Sequence, residues 1–171
     1  MTKGISAALL LLLSITVASA GGNVIIAVID GARYSETFGA QDTFIPVLWN
    51  RLRHEGTIYT NVMIDGVTKT CPGHSSMITG NWQRIKNDGT ERPIGPTIFE
   101  VFRKEKSQPA QSCFVVSGKA KLDILTYGID SGYGSAYGAS YAFGKKTDIV
   151  TWERVAETIA KHHPSLMVIN F

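Results

Sequence analysis

The sequence predicts an α/β fold, a mostly parallel sheet sandwiched by helices, and three observations lead there. Residues 23–29, 112–116 and 165–171 are short, continuous apolar runs, the composition of strands buried on both faces. Helical patterns stand between these runs, so that strands and helices alternate along the chain. The first run ends in Asp30-Gly31, at the kind of strand end where ligands gather in parallel sheets.

Before the first strand, residues 1–20 have the layout of a secretory signal peptide: Lys3 near the start, a leucine-rich apolar run over 5–17, and small residues at Ala18-Ser19-Ala20. A membrane anchor is the competing reading, but a bilayer span needs about 20 apolar residues. This run is shorter and ends in a cleavage pattern, so cleavage after Ala20 is expected. The mature chain, residues 21–171, is then secreted or periplasmic, with no membrane attachment.

After the strand at 23–29 (NVIIAVI), a helix is expected over 46–55, with Pro46 in its first turn, Leu48 and Leu52 on one face and Gly56 as the stop. Residues 57–63 have the composition of a second strand. A helix over 73–79 should begin just after Thr70-Cys71-Pro72 and stop at Gly80. Turns fill 81–95, and a helix over 96–104 places Ile98, Val101 and Phe102 at helical spacing. Beyond the strand at 112–116, residues 128–144 are rich in Gly, Ser, Tyr and Ala without a clear period, as in a long surface loop. A helix over 148–161 should turn Ile149, Trp152, Val155, Ala156 and Ile159 toward the core, before the last strand at 165–171.

Composition narrows the function. With 44% apolar and 18% charged residues the chain of 171 residues has the balance of a globular domain rather than a disordered one. Its net charge of +3 comes without a dense Lys/Arg run or aromatic-basic interleaving, which argues against nucleic acid as a partner. Cys71 and Cys113 are the only cysteines, too few for a disulfide scaffold and without the spacing of a cysteine zinc site. They can form one bridge or stand as two packed thiols.

Two segments carry chemistry. Asp30 can project its carboxylate from the sheet edge, where it suits a divalent metal, although Asp-Gly is also a common turn. Pro72 suits the first turn of a helix and puts Thr70 at a helix N-terminus, where free N–H groups and the helix dipole favour an anionic phosphate. A threonine hydroxyl needs a base or a metal to become a nucleophile, and a metal held by Asp30 could serve.

The pair VIIAVIDGAR and TKTCPGHSSMITG resembles the alkaline phosphatase superfamily, in its branch of nucleotide pyrophosphatase/phosphodiesterases and threonine-nucleophile bacterial alkaline phosphatases. The resemblance implies Thr70 as nucleophile and metal ligand, Asp30 as metal ligand, and two zinc ions. Lys119 and Lys121 resemble the K-x-R pair that meets the phosphate in monoesterase-type members, with Lys121 in place of the arginine, so that a point charge replaces a bidentate fork. Asn87 stands where an asparagine that bonds a phosphoryl oxygen is expected, although Asn-Asp-Gly is also an ordinary turn, and the two lysines could equally be solvated surface. His74 belongs to the nucleophile helix and is expected to pack or hydrogen-bond, and His162-His163 to close a helix.

The implied activity is hydrolysis of small-molecule phosphate monoesters through a phosphothreonine. A phosphodiesterase or nucleotide pyrophosphatase is the alternative, a sulfatase acting through Cys71 a further one, and a non-catalytic exported fragment a third. The resemblance covers a truncated, N-terminal part of such a domain, with the remaining metal ligands expected beyond Phe171. The 171-residue chain by itself is therefore expected to be inactive.

Overall fold

The computed structural model describes residues 22–145 and 147–171. The expected signal peptide and its cleavage site lie outside them. Among the described residues no helix is long and apolar enough to cross a membrane.

The fold is α/β, with four parallel strands: β1 (Val24–Val28), β2 (Cys113–Ser117), β3 (Ser140–Phe143) and β4 (Leu166–Asn170), in the spatial order β1-β4-β2-β3. Among the described residues four α-helices accompany them: α1 (Pro46–Asn50), α2 (Thr70–Thr79), α3 (Ile98–Glu105) and α4 (Asp148–His162). The continuous apolar composition of β2 and β4 follows from burial on both faces. Cys113, Val115, Leu166 and Val168 face one core with Cys71 and Ile78 of α2 and Phe99 of α3. Their alternate neighbours Phe114, Val116, Met167 and Ile169 face the other, with Val155 of α4.

All four helices form near their expected places, α4 over Asp148–His162 against the expected 148–161. α1 is shorter than expected and continues as a separate 3-10 turn over Leu52–His54. α2 starts three residues earlier than expected, at Thr70, and ends at Gly80. α3 is fixed by a capping box, in which Thr97 Oγ1 accepts from Glu100 N and Glu100 Oε2 accepts from Thr97 N.

Four expectations need correction. β1 is not buried on both faces: it is an edge strand paired only with β4, and Val24 remains 53% exposed. Residues 57–63 form no strand. They pair with nothing, Met63 is 88% exposed, and β-favouring composition acts only where a sheet offers a surface to pack on. The stretch 128–144 is not loop throughout, since β3 lies in it and pairs in register with β2, Val115 beside Tyr141.

The fourth correction concerns the buried face of α4. Thr151, Val155 and Thr158 face the sheet, while Ile149 is 74% and Trp152 60% exposed. Each threonine hydroxyl bonds the carbonyl four residues back, Thr151 to Thr147 O at 2.8 Å and Thr158 to Arg154 O at 2.7 Å, so burial leaves neither unsatisfied. At Thr151 the approach is close: a Cβ on Gly144 would lie 2.6 Å from Thr151 Cα.

Candidate active site

The carboxyl ends of β1, β4 and β2 lie side by side, and the polar groups that follow these strands converge there. Asp30 comes two residues after β1, Lys119 two residues after β2, and Asn170 closes β4. Thr70 is the first residue of α2.

Thr70 Oγ1 donates to Asp30 Oδ2 at 3.2 Å, and the Lys119 ammonium ion-pairs with the same oxygen. Burial would raise the Asp30 carboxyl, but the Lys119 ammonium and the Thr70 hydroxyl outweigh it and hold the group below its ordinary value. Asp30 is therefore a carboxylate at neutral pH. It orients the threonine hydroxyl and is a weak base toward it.

Asn87 belongs to an adjoining group. Its Oδ1 accepts from Cys71 N at 2.9 Å, an N–H in the first turn of α2 that has no acceptor within the helix. Lys121 Nζ donates to Asn87 O at 3.1 Å and to its Oδ1 at 3.3 Å. The turn carrying Asn87 fits against Lys121 because Gly89 has φ +84° and no side chain; a Cβ there would lie 2.8 Å from Lys121 Cα. All five residues expected from the sequence thus meet, Asp30, Thr70 and Lys119 in one group and Asn87 and Lys121 in the other, joined through the Thr70–Cys71 peptide.

A buried layer beneath fixes this arrangement. His74 Nδ1 lies 2.8 Å from Thr70 O, a carbonyl that can only accept, so Nδ1 carries the proton. His74 Nε2 then accepts from Asn170 Nδ2 at 3.1 Å, and Asn170 Oδ1 accepts from Ser117 Oγ at 3.4 Å. Burial lowers the His74 pKa, against the opposing pull of its bond to Thr70 O and the charge of Asp30, so the neutral ring is favoured. The hydrogen-bonding part expected for His74 is what the geometry shows.

Lys119 is held from its own backbone. Tyr141 OH donates to Lys119 O at 3.0 Å, and Lys119 N donates to Ser117 Oγ at 2.9 Å. Burial, with the charge of Asp123 adding to it, pushes the Tyr141 hydroxyl up to about 12. The 3-10 helix after Lys119, Ala120–Thr126, is pinned at its far end by Arg92. Arg92 bonds the carbonyls of Asp123 and Ile124 at 3.2 and 3.3 Å and lies over the Tyr127 ring at 3.6 Å.

Sequence reasoning missed Ser117, Asn170, Tyr141 and Arg92. Ser117 and Asn170 carry the signal that singled out Asp30, a polar residue closing an apolar strand. Arg92 and Tyr141 carry none. Both cysteines are buried free thiols whose pKa is raised, chiefly by burial. Cys71 points into the core while Thr70 faces Asp30. At the far end of α4, His162 stacks on Phe114 at 4.9 Å and His163 takes the left-handed cap position, as structural residues do.

Asp30 and Thr70 are two donors where zinc takes four, and Lys119 already occupies the carboxylate. Among the described residues no group of three or more His, Cys, Asp and Glu could hold a metal ion. These residues do not fit a two-zinc centre. Comparison with protein-family models, with curated proteins and with solved structures finds no match to the chain.

Proposed function

We propose that the chain carries the phosphoryl-accepting site of an exported, alkaline phosphatase-like hydrolase of small phosphate monoesters, with Thr70 as nucleophile. The observation that supports this best is the shared oxygen of Asp30, which receives both the Thr70 hydroxyl, at 3.2 Å, and the Lys119 ammonium. A nucleophile, the group that orients it and a cation for the phosphoryl oxygens thereby stand within one hydrogen-bonded set. In the reaction Thr70 Oγ bonds to phosphorus as the ester P–O bond breaks, the hydroxyl proton goes to the leaving oxygen, which departs as the alcohol, and water then splits the phosphothreonine into threonine and phosphate. Lys119, Lys121 and the Asn87 amide face the phosphoryl oxygens, on which a monoester dianion carries more charge than a diester. Zinc dependence accompanies this reading and needs further donors in addition to Asp30 and Thr70.

Binding tests the site in this chain without requiring turnover. Phenyl phosphate should bind more tightly than diphenyl phosphate in calorimetric titration, and Lys119→Ala should weaken the monoester by roughly tenfold or more while affecting the diester less. Tighter binding of the diester transfers the reading to a phosphodiesterase. Phosphate binding that is indifferent to Lys119→Ala and Thr70→Val removes it from this site.

A further inference from the structure

We propose that the cavity beside the N-terminus of α2 holds a second phosphate group, so that the substrate is a small phosphate ester carrying two phosphates. This rests on the monoester reading above and names its substrate class.

The cavity has a volume of about 650 Å³, within the range of small-molecule sites. Its wall is continuous with the nucleophile. Lys69 directly precedes Thr70, Pro72 follows two residues later, and Asn87 takes the Cys71 N–H. A ligand in this cavity therefore lies against the chain segment that would attack phosphorus, within reach of one compact molecule.

Charge decides what the cavity suits. Three cations, Lys69, Arg84 and Lys86, line it against one carboxylate, Asp88. Asp88 Oδ1 is engaged by Thr90, which donates from both N and Oγ1, at 2.9 and 2.6 Å. Lys86 is offset by Glu91 at 3.0 Å, whereas Lys69 and Arg84 have no carboxylate partner among the described residues. Two uncompensated cations on one wall match the charge of a phosphate dianion, and the guanidinium of Arg84 can take two of its oxygens at once. Neither cation takes part in the Asp30, Thr70 and Lys119 contacts. They are thus available to a group other than the phosphoryl under attack. The remaining wall, Val67, Pro72 and Ile85, is apolar and suits the carbon skeleton between two phosphates.

The test compares fructose 1,6-bisphosphate with fructose 6-phosphate by titration calorimetry of the whole chain at fixed ionic strength. The bisphosphate should bind at least about tenfold more tightly. The double substitution Lys69→Ala/Arg84→Ala should erase that preference and leave fructose 6-phosphate within about twofold. Lys119→Ala should weaken both ligands. A control, Lys106→Ala/Lys161→Ala, removes two cations elsewhere and should preserve the preference. Equal binding of the two sugars, with Lys119→Ala still weakening both, overturns the second phosphate site and leaves the monoester reading intact. A preference that survives in Lys69→Ala/Arg84→Ala, or disappears in the control, overturns it as well. Binding of neither sugar overturns both.

Discussion

The pairing of Asn170 with His74 should be worth about 2 kcal/mol, and a double-mutant cycle can isolate it. Asn170 is 1% exposed and His74 6%, so a partner lost by either is not replaced by water. Asn170→Leu keeps the volume but leaves His74 Nε2 a buried acceptor without a donor, a loss of about 1–3 kcal/mol. His74→Phe strands the Asn170 amide at a similar cost. The double variant strands neither group, so its loss should approach that of one single variant, giving a coupling of about 2 kcal/mol. Guanidinium unfolding followed by tryptophan fluorescence at pH 8 measures it, with unchanged denaturant slopes as the control.

The same pair gives the pH dependence its sign. The folded-state pKa of His74 lies below its ordinary 6.5, so the native state favours the neutral ring. This stabilisation is complete above about 6.5 and is lost as pH falls from there through the lowered value. The slope should vanish in His74→Phe. Losses that add to within about 0.5 kcal/mol would refute the network.

Gly89→Ala should cost about 2–4 kcal/mol, from the left-handed φ together with the clash at Lys121, and should weaken phosphate binding by displacing Asn87; chemical denaturation and calorimetry read the two effects. Zinc should bind this chain weakly, and Lys119→Ala should strengthen zinc while weakening phosphate, because it frees the Asp30 carboxylate and removes a cation; matching directions for the two ligands would contradict the shared-oxygen geometry. Tyr141 should titrate at about 12 in the 295 nm absorbance of the native protein. Its raised value contributes stability that is present below the ordinary 10.0 and lost as pH rises from there to about 12, a loss absent in Tyr141→Phe.

Much of this was legible in the sequence for physical reasons. β2 and β4 are sandwiched between two cores, so every position along them is apolar until the polar residue that closes each strand. Asp30 and Thr70 stand out from local motifs, Asn87, Lys119 and Lys121 only through the family resemblance, and the fold brings the five together. The misreadings share one cause, that a face or an edge exists only relative to a partner. β3 is Ser-Tyr-Ala-Phe, set in a glycine-rich stretch, and becomes a strand because β2 offers it an open edge. Residues 57–63 have strand composition and meet no such edge. On α4 only Val155 of the five apolar positions expected to be buried is buried, and Thr151, which bonds its own helix, packs closely against Gly144.

The position of β4 sets the order in which the protein can be built. β1 and β2 are not paired with each other; each pairs with β4, which is the latest of the four strands to be synthesised. Just before β1 and β4, Asn23 Nδ2 donates to Pro164 O at 2.7 Å and joins positions 141 residues apart. While β4 is still inside the ribosome, β2, β3 and α3 can associate, but β1 has no neighbour and Asp30 has no fixed position relative to Lys119. The hydroxyl, the carboxylate and the ammonium therefore come together in a single late event, the insertion of β4 as the central strand. A nascent chain arrested before residue 166 should accordingly leave β1 sensitive to protease, and a chain extended through β4 and released should gain protection and phosphate affinity in the same step.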